Sequence, residues 1–198
     1  MLDPRTQIYL ASNSPRRAEL LTQIGVRFAR LSLETDERRL ADESPEDYVL
    51  RIAVEKGRAG RDRLSRGDLL PVLAADTAVV LGDSVLGKPR DSADARAMLA
   101  ELSGRTHRVL TAVALMTPDQ ERTALSESRV HFREIDEEEA RRYWATGEPA
   151  DKAGGYGIQG YGALFVANLE GSYSGVMGLP LFETGRLLLE AGIASMAR

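Results

Sequence analysis

The sequence predicts an α/β protein built on a mixed central sheet. In the first half of the chain, segments with strand character alternate with helical segments, which is typical of parallel strands. In the middle, a turn at Pro118-Asp119 joins two consecutive strand-like segments into a hairpin. Hydrophobic residues make up 43% of the 198 residues, enough for a sizeable core. We therefore expect residues 1–198 to form one domain without internal repeats.

The first elements are a strand and a helix with clear boundaries. Ile8–Ala11 is short and apolar, as in a buried strand. Ser14 is a good N-cap residue, Pro15 suits the first helical position, and Gly25 ends the helix. The pattern then favours a strand at 26–33, an acidic loop at 34–43, a helix from Ser44-Pro45 towards Gly57 or Gly60, and strands at 72–81 and 85–86.

The second half continues with helices and antiparallel strands. A helix is predicted at 91–102, and the hairpin strands at 109–116 and 124–132. The helix at 136–146 begins with a run of acids, which the helix dipole favours. A glycine-rich segment at 154–162, a strand at 163–169 and a last helix at 181–191 complete the chain.

Composition excludes several classes of function. Asp and Glu number 30 against 26 Lys and Arg, so the net charge of -4 gives no reason to expect nucleic acid or a membrane surface as a partner. The chain has no cysteine, which excludes disulfides and thiolate chemistry. The two histidines, His107 and His131, are too few for a His-rich metal site, and we interpret them as structural. No signal-peptide pattern is present, so a cytoplasmic protein is expected.

The turn after the first strand has the composition of a phosphate-binding site. Ser12, Ser14, Arg16 and Arg17 place two hydroxyls and two guanidiniums where free backbone N–H groups begin a helix. The alternative is that Ser14-Pro15 only starts a helix and that both arginines are solvated.

An acid inside an apolar strand is the strongest candidate for catalysis. Asp76 is costly to bury unless it is paired, binds metal or transfers protons, and Thr77 follows it. The alternative is a strand that ends at Ala75, with Asp76 in the following turn. Lys88, stiffened by the proline after it, can act as a point charge on phosphate. Lys56 faces either the same site or solvent.

Two loops offer further ligands. Glu37, in the acidic loop, is a candidate ligand for a hard cation such as Mg²⁺, with a solvated loop as the alternative. Gln159 lies in the glycine-rich segment, where its amide can both donate to and accept from a base edge. This segment does not have the spacing of a dinucleotide fingerprint, and a flexible glycine loop is its alternative interpretation.

Five motifs, in this order, resemble the Maf family of nucleoside triphosphate pyrophosphatases. They are Leu10-Ala11-Ser12-Asn13-Ser14-Pro15-Arg16-Arg17-Ala18-Glu19-Leu20-Leu21, Ala74-Ala75-Asp76-Thr77, Leu86-Gly87-Lys88-Pro89, Asp151-Lys152-Ala153-Gly154-Gly155-Tyr156-Gly157-Ile158-Gln159-Gly160 and Gly178-Leu179-Pro180-Leu181. The fourth motif resembles the branch that acts on dTTP and UTP rather than the branch that acts on 7-methyl-GTP.

The resemblance implies a two-lobed fold around a deep cleft, like that of the inosine triphosphate pyrophosphatases, with a divalent metal, Mg²⁺ or Mn²⁺, and a homodimer. It implies that Asp76 is the proton acceptor and that Arg16, Thr77 and Gln159 govern substrate choice. Further active-site positions that it implies are Ser12, Arg17, Glu37, Lys56 and Lys88.

Two functions from different classes follow. The first is a pyrophosphatase that releases monophosphate and diphosphate from dTTP, UTP and modified pyrimidine nucleotides, with Asp76 as base or metal ligand. The second, drawn from the family's association with septum formation, is a nucleotide-binding regulator of cell division in which turnover is incidental.

Overall fold

A computed structural model describes residues 3–65 and 67–193 of the chain. Its strands are β1 (Ile8–Ala11), β2 (Phe28–Leu31), β3 (Val72–Leu81), β4 (Ser84–Leu86), β5 (Thr106–Met116), β6 (Glu121–Phe132) and β7 (Val166–Glu170). Its α-helices are α1 (Pro15–Gln23), α2 (Pro45–Asp62), α3 (Ser92–Leu102), α4 (Glu137–Ala145), α5 (Tyr173–Met177) and α6 (Leu181–Glu190). Short 3₁₀ turns lie at Glu148–Asp151, Ala153–Gly155 and Tyr161–Phe165.

The seven strands form one mixed sheet in the order β2-β1-β3-β5-β6-β7, with β4 also paired to β3. The pairs β2-β1 and β1-β3 are parallel, whereas β3, β5, β6 and β7 pair antiparallel, with β5 and β6 as the predicted hairpin. The predicted α/β class with a mixed central sheet is confirmed.

One edge of β3 carries a gap between two short partners. β1 pairs with Val72 and Leu73, and β4 pairs with residues 79–81. The opposite edge of β3 pairs with β5 from Val72 to Val80, so β1 and β4 share the other edge. Residues 74–78 therefore have a strand neighbour on one side only, and the opening beside them leads into the molecule.

Alternate residues of β3 pack into different layers, as the pleat requires. Ala74 and Ala78 belong to the apolar cluster under α2, and Leu73 and Ala75 belong to the cluster under α1 and α6. By this alternation the side chain at position 76 faces the α2 layer, and the side chain at position 77 faces the opposite layer.

Helix boundaries agree with the predictions, except for one cap and one end. Ser14 occupies the N-cap position of α1, but its side chain caps nothing, and its backbone N–H donates to Ser12 Oγ at 3.2 Å. α2 continues to Asp62, beyond Gly57 and Gly60. Both glycines lie inside the helix, where they allow close packing instead of ending it. A Cβ on them would lie 2.6 Å from the Met116 side chain and 2.8 Å from the Val72 side chain, respectively.

The region after the glycine-rich segment differs most from prediction. The strand expected at 163–169 is Val166–Glu170, because Tyr161–Phe165 forms a 3₁₀ turn first. The five-residue α5 was not predicted, since so short a helix shows no periodicity. Among the described residues, no helix combines the length and apolar character needed to cross a membrane.

Candidate active site

A cleft of about 310 Å³ opens beside the gap in β3. Its walls come from the turn after β1, the acidic loop, α2, β3, the segment after β4, the glycine-rich segment and the loop before α6. All the candidate site residues lie on these walls: Ser12, Ser14, Arg16, Arg17, Glu37, Lys56, Asp76, Thr77, Lys88 and Gln159. The fold thus brings together residues up to 147 positions apart in sequence, from Ser12 to Gln159.

Asp76 lies at the floor of the cleft, 6% exposed. It stands in the middle of β3, so the strand-end interpretation is wrong. Lys56 Nζ lies 2.7 Å from Asp76 Oδ1, which also answers the question left open for Lys56: it faces the cleft. Burial raises the pKa of the Asp76 carboxyl above its ordinary value, although the charges of Lys56 and Arg17 oppose that rise.

Glu37 also forms an ion pair with the Lys56 ammonium. Its Oε1 lies 2.7 Å from Lys56 Nζ, and the Tyr48 hydroxyl fixes the loop by donating to the Glu37 carbonyl at 2.9 Å. Burial by itself raises the pKa of Glu37, but the ion pair with Lys56 and the nearby charges of Lys88 and Arg17 hold that pKa below its ordinary value. The predicted acidic loop thus turns one carboxylate into the site.

Glu37 and Asp76 are chemically suited to share a divalent cation. Both present carboxylate oxygens to one point, occupied here by the Lys56 ammonium. No group of three or more His, Asp or Glu side chains within residues 3–65 and 67–193 is arranged to hold a metal. Two carboxylates are nevertheless enough for Mg²⁺, which keeps several waters and takes its other ligands from substrate phosphates.

Arg17 is held rigidly from both sides of the cleft. Its Nε donates to the Gly178 carbonyl at 2.8 Å, Nη1 to Ser12 Oγ at 3.3 Å and Nη2 to Thr77 Oγ1 at 3.2 Å. Gly178 has a φ of 116°, a conformation that glycine adopts without strain. The turn after β1 therefore presents a fixed guanidinium.

A buried threonine that the sequence analysis did not single out stands behind Thr77. Thr111 pairs directly with Thr77 across β3 and β5 and is fully buried. Its hydroxyl donates to the Gly175 carbonyl at 2.8 Å and lies 3.1 Å from Thr77 Oγ1. Thr111 is the donor in both contacts, so its single hydroxyl hydrogen serves the Gly175 carbonyl or Thr77 Oγ1, and Thr77 Oγ1 also accepts from Arg17. A polar residue in an apolar strand was the available signal, as for Asp76.

Two further cations line the cleft with different surroundings. Arg16 Nη1 lies 3.0 Å from Asp151 Oδ2, which links α1 to the segment before the glycines. Lys88 is exposed, and the described part of the chain offers its ammonium no hydrogen-bond partner. Lys88 is therefore free to contact an anion.

Gln159 lies at the far side of the cleft, exposed and without a hydrogen-bond partner for its amide among residues 3–65 and 67–193. In the same segment Tyr156 is buried, and its hydroxyl lies 2.8 Å from His107 Nε2. The buried position of His107 among aromatic rings agrees with the structural role expected for it.

Comparison with known proteins identifies the family. A family model described as Maf-like protein matches residues 7–191. The chain belongs to the Maf family. Three Maf relatives carry the name dTTP/UTP pyrophosphatase. The protein from Alkalilimnicola ehrlichii is 60% identical over 94% of this chain and 93% of its own, that from Saccharophagus degradans 55% over 94% and 89%, and that from Pasteurella multocida 52% over 94% and 96%.

Proposed function

We propose that this chain hydrolyses dTTP and UTP to the monophosphate and diphosphate. The observation that carries the proposal is one cleft that holds a buried carboxylate, cations suited to a polyphosphate and an unpartnered amide suited to a base. Five cationic side chains and three carboxylates line it, so the cleft favours a polyanion. Maf relatives at 52–60% identity bear the name of this activity.

The phosphates lie, in this proposal, between the start of α1 and Lys88. The N–H groups at the beginning of α1 and the fixed guanidinium of Arg17 bind them from one side. Lys88 acts from the other side as a point charge. Ser12 and Ser14 add hydroxyls beside the same helix start.

The reaction is the attack of a water on the α-phosphorus. The new bond forms from the water oxygen, the bond from the α-phosphorus to the bridging oxygen breaks, and diphosphate leaves with the electron pair. Asp76 accepts the water proton, and Lys56 keeps its carboxylate in place. The cations balance the charge that spreads over the phosphate oxygens in the transition state.

Glu37 and Asp76 are the residues proposed to hold Mg²⁺ or Mn²⁺. When bound, the cation supplies neutralisation of phosphate charge and a water of lowered pKa. With the cation bound, Asp76 is a metal ligand. It either also acts as the base or leaves that role to the cation-bound water.

Gln159 is proposed to read the base. Uracil and thymine share an edge with one carbonyl on each side of a ring N–H, so one amide can donate to a carbonyl and accept from the N–H. Cytosine presents an amine and an unprotonated nitrogen instead, so the amide orientation that reads uracil is mismatched with cytosine. Modified pyrimidines that keep the uracil edge are substrates by the same reasoning, which fits removal of unwanted nucleotides.

Diphosphate release from dTTP, UTP and CTP, measured with Mg²⁺ or Mn²⁺ and after chelation, tests the proposal. We expect comparable kcat/KM for dTTP and UTP, a value for CTP at least about tenfold lower, and loss of turnover on chelation. Equal values for all three nucleotides would contradict base reading by Gln159. Binding of UTP without turnover would instead support the regulator of septum formation, which we disfavour because binding alone needs no buried Asp76.

The assembly and location of the protein stay predictions. We propose a homodimer in the cytoplasm, and light scattering of the purified protein checks the first of these.

A further inference from the structure

We propose that Glu148 is a positioning residue for base selection, because the loop that carries Gln159 is folded around its carboxylate. This inference rests on the proposed function, in which Gln159 reads the pyrimidine. Glu148 is absent from the described residues that line the cleft, so it acts through the loop rather than on the substrate.

Three donors converge on the Glu148 carboxylate. Oε1 accepts from the Tyr143 hydroxyl at 2.7 Å and from the Gly162 backbone N–H at 3.1 Å. Oε2 accepts from the Tyr161 backbone N–H at 2.8 Å. Burial by itself raises the pKa of Glu148, but these hydrogen bonds hold it below its ordinary value, so the group stays ionised and the bonds are charge-assisted.

The same network reaches the other end of the loop. The Tyr143 hydroxyl, which donates to Glu148, accepts from the Gly157 backbone N–H at 3.0 Å. Gln159 lies between Gly157 on one side and Tyr161 on the other. One carboxylate and one phenol therefore fix both ends of the loop that presents the amide.

The glycines of this loop allow close contacts that a larger residue would block. A Cβ at Gly160 would overlap the Glu148 carboxylate, and one at Gly157 would lie 2.8 Å from Lys152 Cε and 3.1 Å from Glu148 Oε1. A Cβ at Gly162 would lie 2.7 Å from the Gly157 carbonyl oxygen and 2.8 Å from the Tyr143 hydroxyl. The glycines thus let the backbone close on the partly buried Glu148 carboxylate, and this account replaces the interpretation of the segment as a flexible glycine loop.

A double-mutant cycle on UTP and CTP turnover tests the assignment. Glu148→Gln keeps the side-chain volume but turns one acceptor into an NH₂ group that faces an N–H donor. We expect it to lower the UTP/CTP ratio of kcat/KM by about tenfold, mainly through a higher KM for UTP. Gln159→Ala removes the group that Glu148 positions. The double variant Glu148→Gln/Gln159→Ala should therefore have nearly the same UTP/CTP ratio of kcat/KM as Gln159→Ala alone.

The controls separate this inference from the proposed function. Glu138→Gln removes the same charge from an exposed position on α4, paired with Arg141, and should keep the wild-type ratio. Tyr143→Phe deletes only the bridging hydroxyl and should shift the ratio in the same direction as Glu148→Gln, which keeps the test available if Glu148→Gln does not fold.

Each outcome has a definite meaning. A wild type without preference for UTP overturns base reading itself, and with it this inference. A wild-type preference that Gln159→Ala reduces while Glu148→Gln and Tyr143→Phe keep it overturns the positioning role alone. If Glu148→Gln and Tyr143→Phe lower kcat/KM equally for UTP and CTP, so that the ratio is unchanged, Glu148 has only a structural role, and the positioning role is likewise overturned.

Discussion

His107 is predicted to make the stability of the protein depend on pH between about 4 and 6.5. The imidazole is 2% exposed, lies edge-on to Phe132 and Tyr156, and has no described partner for Nδ1. Burial lowers the pKa of His107 from 6.5 to about 4. The folded state therefore resists protonation that the unfolded chain accepts.

The sign and size of the effect follow from linkage. Between the two pKa values the unfolded state binds more protons than the folded state. The contribution of neutral His107 to the free energy of unfolding is therefore fully present above pH 6.5 and is lost as the pH falls towards 4. The difference between 6.5 and about 4 corresponds to about 3 kcal/mol, since each tenfold change in proton affinity is worth about 1.4 kcal/mol.

The assay compares urea unfolding of the wild type and of His107→Gln at about pH 7 and about pH 4. Glutamine places an amide near the position of Nε2 and can still bond to the Tyr156 hydroxyl, but it does not titrate. The carboxylates are the same in both proteins and cancel in the comparison. We expect the wild type to lose about 3 kcal/mol more than the variant on acidification. Equal losses would refute the assignment of this pH dependence to His107.

Three further predictions concern the cleft. Asp76→Asn keeps the side-chain volume but not the basicity, so we expect at least about a hundredfold loss of kcat with an unchanged circular dichroism spectrum; turnover above about a tenth of wild type would exclude a role as base. Thr111→Val deletes the hydroxyl that orders Thr77 and Arg17, and the inhibition constant of diphosphate should rise about tenfold. Thr111→Ser should restore it, and identical constants for the two variants would contradict the hydrogen-bond chain. Lys88→Ala should raise KM for UTP at constant Tm, and an unaltered KM would exclude phosphate contact.

Local chemistry explains which parts of the fold could be predicted. β1 and β3 agree with their predicted bounds because polar or turn-forming residues bracket both segments, and Asp76 and Thr77 are the only polar residues of β3. Ser44-Pro45 begins α2 as expected, with the Ser44 hydroxyl accepting from the Asp47 N–H. The 3₁₀ turns and α5 are too short to carry a period.

The site was predictable where one residue was unusual in its own segment. Asp76 in an apolar strand and Gln159 among glycines both stand out, and both line the cleft. The direction of Lys56 could not be predicted, since it depends on how α2 crosses β3. Glu148 could not be assigned either, because its partners are backbone N–H groups that no side-chain pattern records.

The gap along β3 means that the length of β1 decides whether the molecule has a cleft at all. In the register of β1 with β3, two more paired residues on β1 would extend the ladder to Ala74 and Ala75 and narrow the opening next to Asp76. Pro15 limits any such extension, since it has no N–H to offer a ladder and holds the chain in a helical direction. The space beside Asp76 stays open because the ladder between β1 and β3 stops at Leu10 and Leu73.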